Sequence, residues 1–386
     1  MPLRTRKRSI LSKIEAIYGT DPTPTGSANA IRVMNLDINP LKSELVPRES
    51  IKPYFGNDEQ VLAACYCEVS FEVEVAGSGT AGTAPAVGPL LRACAMSETI
   101  LAAAHTGTAQ AGATATITLA NTGSAVDDAY AGMTIRTTGG TGSGQSRLIK
   151  SYNGTTKVAT VWLDWTTPPD ATTTYSIDAQ VIYRRITDSI ESITHYVNYD
   201  GVLHKLVGAR GNVVTSLPYK RIPTFRFNFT GLFVAVADAA SPSVTLTAWK
   251  KPLAVNNVNT TGLMVSGYSS AVMSDFSFDL GNQVVFRSLP GGSETVLITD
   301  SKPSGSITQE ATLVANKDWW TAIKNVTLGH FSVTHGTAAG NKVKIDAPQI
   351  QLTEPAYEDM DGIQMLKTNL TLLPTSGNDE LVIAFL

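Results

Sequence analysis

The chain has 386 residues and a net charge of −3, with 43% apolar and only 16% charged residues, against about 25% charged in ordinary soluble domains. Its length points to two or three domains, each able to bury a core; its charge balance excludes a strongly basic, nucleic-acid-wrapping protein. The N-terminus lacks the apolar centre of a signal peptide, and no run approaches the roughly 18 apolar residues of a spanning helix, so a cytoplasmically assembled protein without a membrane segment is expected.

Thr, Ser, Gly, Ala and Val take the place of charge, a balance that favours β structure. The first 13 residues carry Arg4, Arg6, Lys7, Arg8 and Lys13 with no acid; such a start is either a solvated terminus or an inter-subunit arm. Residues 9–18 place apolar side chains at 10, 11, 14 and 17, the spacing of a short amphipathic helix. Pro22 and Pro24 end it. From Ala30 to Ile51 the chain reads as extended. The clearest strand is YCEVSFEVEVAG (66–77), which puts Glu68, Glu72 and Glu74 on one face and Val69, Phe71, Val73 and Val75 on the other. After a Gly-rich turn, APAVGPLLRACAMS reads as a short helix.

Residues 106–176 change character: 18 of the 71 are Thr and only 8 are charged. Short alternating strands separated by GGTGSG and NGTT turns predict a small all-β module inserted into a host domain. Host strands resume, through TFRFNFTGLFVAV (224–236), and Pro242 and Pro252 mark a boundary over 237–256. Beyond it come strands, the short helix ANKDWWTAIKN, and further strands. That repeats the order of the first half, so the expected organisation is a discontinuous first domain (1–105 and 177–236), the 106–176 module and a second domain (257–386). The halves differ in charge: residues 236–386 hold 9 basic and 14 acidic residues, a net of −5.

Few residues point to chemistry. GGTGSG lacks phosphate-loop spacing and a following helix. His330 and His335 fall on opposite faces of a strand, and Cys65, Cys67 and Cys94 have no His partners, so no metal site and reduced thiols are expected. Glu358, Asp359 and Asp361 read as a charged turn tip, because the spacing and distal Glu of a calcium loop are missing. No catalytic signature is present and no cofactor is expected. Trp319 and Trp320 diverge by about 100° on a helix: core packing explains one, and the other suits a neighbouring subunit.

The segments KIEAIYGTDPTPTGSANAIRV, RESIKPYFG and VSFEVEVAGSGTAGTAPAVGPLLRACAMSE resemble the start of tail tube proteins of long-tailed, siphovirus-like bacteriophages. GMTIRTTGGTGSGQSRLIKSYNGTTKVATVWLDWTTPPDATTTYSI is similar to a small β module of phage structural proteins, and APQIQLTEPAYEDMDGIQMLKTNLTLLP with GNDELVIAFL resembles the closing strands of the tube fold. The resemblance implies a mainly β chain of two tandem tube-type β-sandwich or half-barrel domains, each with a short flanking helix. It implies a non-enzymatic virion protein that self-associates into stacked rings, pseudo-hexameric with three chains where each chain carries two tube domains, the favoured reading here, and hexameric with six where it carries one elaborated domain. Its implied partners are tape measure and tail terminator or initiator proteins, with DNA passing through the lumen without sequence-specific binding. Glu68, Glu72 and Glu74 are candidate lumen residues, or an ordinary solvated face; Arg4, Arg6, Lys7, Arg8, Trp319 and Trp320 are candidate subunit contacts. A decoration or adhesin protein and a β-sandwich carbohydrate-active enzyme are the other readings of such a chain.

Overall fold

A computed structural model describes residues 2–386. The chain opens with β1 (Arg8–Ile14) and β2 (Ala30–Ile31), then the long hairpin of β3 (Met34–Pro47) and β4 (Gln60–Glu74). Helix α1 (Gly88–Arg92) and β5 (Met96–Leu101) follow. The expected helix over 9–18 is instead strand β1, paired antiparallel with β14 (Ile193–Tyr199) from Arg8↔Tyr199 to Ile14↔Ile193. Ile10, Leu11 and Ser12 are buried in succession while Ile17 is 69% exposed, so packing on both faces of a strand overrides the helical spacing.

Glu15 anchors this edge. Its carboxylate accepts hydrogen bonds from Ser192 Oγ (2.6 Å), Thr194 Oγ1 (2.5 Å), Gly208 N (2.6 Å) and Gly19 N (2.7 Å). A buried carboxylate is stable only when so supplied with donors. Gly208 has φ +61° and approaches the Tyr18 ring, which would obstruct a Cβ.

Seven strands form a separate sheet: β6 (His105–Thr108), β7 (Ala111–Ala113), β8 (Thr116–Thr118), β9 (Thr134–Gly139), β10 (Ser146–Tyr152), β11 (Val158–Val161) and β12 (Thr174–Ile177), in the order β6-β12-β9-β10-β11-β8-β7. Its two end strands, β6 and β7, are consecutive in the chain, so the sheet returns on itself around Ile117, Leu119, Ile135, Ile149, Tyr152 and Tyr175. The closure leaves few unpaired edges. This core reaches Ile182, Val382 and Ala384 of the host.

The host resumes with β13 (Gln180–Arg185) and the run of β14, β15 (Val202–Ser216), β16 (Thr224–Phe233) and β17 (Ala237–Asp238). The following segment holds little regular structure; Trp249 Nε1 ties it back by donating to Ala30 O at 2.9 Å. The second half comprises β18 (Thr260–Val265), β19 (Met273–Asp279), the hairpin β20 (Asn282–Leu289) and β21 (Ser293–Ser301), β22 (Ser304–Glu310), α2 (Trp319–Lys324), β23 (Gly329–His335), β24 (Val343–Met360), β25 (Ile363–Leu372) and β26 (Val382–Phe385). Asp318 caps α2 by accepting from Thr321 N at 2.9 Å. Asp361 and Gly362, both at positive φ (+56° and +81°), form the turn between β24 and β25, the backbone an Asp-Gly pair adopts readily in a two-residue hairpin.

The pairings in the two halves correspond. The first half runs β1-β14-β15-β16-β4-β3; the second runs β18-β23-β24-β25-β22-β19. Every pair is antiparallel, and in each half the short helix lies between the strands third and fourth in sequence among these six. One irregularity also coincides. From Ile193 to His195 β14 advances two residues while β15 advances three, and from Gly329 to Phe331 β23 advances two while β24 advances three. The halves are not separate bodies: β15 pairs with β19 and β13 with β26, and one hydrophobic core spans both, from Phe71, Phe227 and Phe229 to Phe276, Phe331 and Ile350.

Candidate functional site: a polar sheet face with open edges

Through the β15–β19 pairing, eight strands line up as β3-β4-β16-β15-β19-β22-β25-β24. One face of this sheet is the core, carrying Val69, Phe71, Phe227, Phe276, Phe278 and Ile307, each no more than 2% exposed. The strict alternation of strands then sends the intervening residues to the opposite face. Glu68, Glu72 and Glu74 lie there on β4, opposite Thr230, Arg226 and Thr224 of β16. Asn39 and Asp37 of β3 continue the row on one side, and Ser277 and Asp279 of β19 on the other. Ser306, Thr308, Lys367, Asn369 and Gln351 extend it across the second half. A shallow groove of about 430 Å³ runs along this face where the halves meet, lined by Val214, Ser277, Asp279, Ser306, Thr353 and Asn369.

The face is hydroxyl- and amide-rich with an acidic excess. Glu68 is held by Lys42 at 2.7 Å, and Glu72 accepts from Asn35 Nδ2 at 3.1 Å. That contact holds the Lys42 ammonium above its ordinary pKa, chiefly through the hydrogen bond to Glu68. Asn212 Nδ2 donates to Asp279 Oδ1 at 2.6 Å across the seam. Asp275 is pushed up from its usual range by burial. Such a surface offers a polyanion hydration but little charge to grip.

The second class of surface is apolar and exposed. Ile51 and Phe55, at the tip of the β3–β4 hairpin, are fully exposed, and Leu45, Val46, Val61 and Leu62 along its stem are each about half exposed. A second cluster surrounds α2: Trp320 at 38%, Val326 at 53%, Leu328 at 44% and Tyr357 at 58%, with the Trp320 and Tyr357 rings 5.5 Å apart. Contiguous apolar exposure on this scale marks a protein contact surface.

A sequence model of the phage tail tube protein family matches residues 5–372. The chain belongs to that family. It is therefore a structural protein of the virion tail that self-assembles into a tube, and its mainly β architecture agrees with that of the family. No curated protein matches the chain.

The other sequence-derived residues of this tail tube protein fall in distinct places. Trp319 is 1% exposed, with Nε1 donating to Thr312 Oγ1 at 3.0 Å, whereas its neighbour Trp320 faces outward. The basic start folds back on the β14–β15 turn: Lys7 Nζ lies 2.6 Å from Asp200 Oδ1, and Arg4 N donates to Asp200 Oδ2 at 3.0 Å. These contacts, led by the Lys7 hydrogen bond, hold the Asp200 carboxyl below its usual range. Arg8 Nη1 donates to Leu36 O at 2.9 Å, and Arg6 is exposed. The three thiols are free, and burial pushes that of Cys67 up to about 12. Among the described residues no group of three or more His, Cys, Asp or Glu could hold a metal ion, and no helix is long and apolar enough to cross a membrane. Sequence reasoning missed Glu15, whose donors at 192, 194 and 208 are invisible to local spacing. It also missed two further acids of this face, Asp37 on β3 and Asp279 on β19, whose NLD and FDL settings do carry the alternation that finds Glu68.

Proposed function

We propose that this protein forms the tail tube of a long-tailed phage as stacked rings of three chains, each chain supplying two tube domains, residues 1–105 with 177–236 and residues 257–386. The observation that carries this reading is the matching strand order of the two halves, helix position and bulge included, since six equivalent sheets close a ring with three chains. The polar face carrying Glu68, Glu72 and Glu74 lines the lumen, where an acidic, hydroxyl-rich wall lets DNA slide during ejection. The 106–176 module stands on the outer wall, because it packs on β13 and β26 away from that face. Closing the sheet across chains removes edges that otherwise invite aggregation. Tape measure protein occupies the lumen before DNA, terminator and initiator proteins meet the tube ends, and assembly takes place in the host bacterial cytoplasm. The role is conductive and structural rather than catalytic.

Negative-stain microscopy of the purified protein, with class averages down the axis, tests this. Hollow tubes of uniform width with threefold rings are expected. A protein that stays monomeric at high concentration alongside its tail initiator would remove the tube-forming reading. True sixfold rings of six chains would remove the three-chain count alone.

A further inference from the structure

Within one chain the second half meets the first along a defined pair of strands. On one side, β15 pairs with β14 along its first part and with β19 along its last: Val214↔Asp279, Thr215↔Phe278 and Ser216↔Ser277. Its counterpart in the second half, β24, pairs on that same side with β23 over 343–350, and beyond this stretch no described strand pairs with that edge. The counterpart of β19 in the first half is β3, which among the described residues pairs with β4 alone. Each chain therefore ends in one open edge of each kind.

The shared bulge fixes the correspondence residue by residue. It equates Ala209 with Ile350, hence Arg210 with Gln351. Their cross-strand partners equate Thr230 with Thr371, then Glu68 with Ser304, then Asn39 with Asp279. Four residues along β16 and β25 equate Arg226 with Lys367, and so Val214 with Ala356, β24 carrying one extra residue between Thr353 and Ala356. The β3–β4 hairpin shifts register between Asn39 and Lys42, where the second half breaks between Asp279 and Asn282 at Gly281 (φ +64°). The two hairpin arms therefore leave their sheets at the same place.

Resting on the three-chain reading above, we propose that β3 of one copy adds antiparallel to the open β24 edge of the next in a defined register: Asn39 opposite Ala356, Ile38 opposite Tyr357 and Asp37 opposite Glu358. The occupant is a second copy of this chain, and continuity with the intrachain seam selects it. Thr215 and Phe278, the pair equivalent to Tyr357 and Ile38, are 0% and 1% exposed; Tyr357, at 58%, is what such a residue looks like before its neighbour arrives. Glu358 is already held by Lys367 at 3.1 Å, which tempers its approach to Asp37.

The arms complete the seam. Within the chain, the β20–β21 arm lies on the first half: Phe286 stacks on Tyr66 at 4.8 Å, Val296 N donates to Tyr18 Oη at 2.6 Å, and Asn282 Nδ2 donates to Cys94 O at 2.9 Å. The β3–β4 arm of the neighbouring copy lies in the same way on the exposed cluster of Trp320, Val326, Leu328 and Tyr357, covering both apolar surfaces at once.

The test uses the full chain carrying Ile38→Cys and Tyr357→Cys in a Cys65→Ser background, assembled and then oxidised. Directly opposed residues of an antiparallel pair lie within disulfide range. The expected product is a closed covalent trimer whose linked peptides join residue 38 of one chain to residue 357 of another. A six-chain product carrying the same peptide would support the edge pairing and refute the three-chain count. Tubes without that linkage would overturn the pairing and leave the tube reading standing. Unmodified protein gives a second readout should the variant not fold: amide exchange over 34–39 and 353–358 should slow at least tenfold on assembly. Tubes in which both segments exchange as in the monomer would overturn the proposal.

Discussion

Excising residues 107–175 probes how the module sits on its host. Thr106 and Ser176, the two ends the excision leaves, are direct cross-strand partners, so their Cα atoms lie about 5 Å apart and a bridge of two to four Gly and Ser residues rejoins them. The excision uncovers Ile182, Val382 and Ala384, now 1%, 2% and 1% exposed, and the partly buried Leu101 and Leu386. Two branched side chains at about 2 kcal/mol each, plus roughly 1 kcal/mol from the rest, give a loss of about 5 kcal/mol. Over the remaining host that lowers Tm by about 7 °C. Val181, Tyr183, Ile383 and Phe385 face the other core and stay covered, so the host still folds. Ile182→Thr with Val382→Thr removes the new apolar patch without restoring the lost burial. Calorimetry gives the Tm shift, and microscopy gives the tubes, expected with a smaller outer diameter. Loss of tubes in the folded, Thr-substituted host, or density for the module inside the lumen, would refute the outward placement.

Two further outcomes follow from named residues. Glu72→Lys with Glu74→Lys, which leaves the Glu68–Lys42 pair intact, should still give tubes, but tubes that retain DNA at low salt and release it steeply as salt rises; release identical to that of the parent would remove these residues from the lumen. Burial holds the His195 imidazole down to about 3 from 6.5, so its neutral form stabilises the fold fully above pH 6.5, and that contribution is lost as pH falls from there toward 3. Between pH 8 and pH 5 this one group should cost about 2 kcal/mol, or roughly 2–3 °C in Tm, and His195→Gln should flatten the pH dependence of the melt by that amount.

The β character, the family and the strongest strands were legible because they are local properties. Alternation around Phe71 and Phe227 marks strands with one buried face, and the Thr-rich stretch announces itself by composition. What stayed hidden depends on distant partners. Residues 9–14 carry a helical spacing but are claimed by β14, far along the chain, so both faces are covered and the spacing carries no information. Glu15 reads as an ordinary surface acid until its four donors converge. The seam between β15 and β19 has no signature in VVTS or SFDL, since any alternating strand could fill that edge.

The pairing of β1 with β14 also sets the order of events on the ribosome. Ser12 and His195, joined by a 2.6 Å hydrogen bond, are 183 residues apart, and at about 5–20 residues per second the first strand waits roughly 10–40 s for its partner to be synthesised. During that interval the module can close on itself, while the N-terminal strand has only the two-residue β2, at Ala30 and Ile31, to pair with. Arg4, Arg6, Lys7 and Arg8 stand directly beside it, where like charge keeps nascent chains apart. Once the strand docks, Asp200 receives Lys7 and the backbone of Arg4, so part of the charge that guards the unfinished chain becomes a clasp in the finished one.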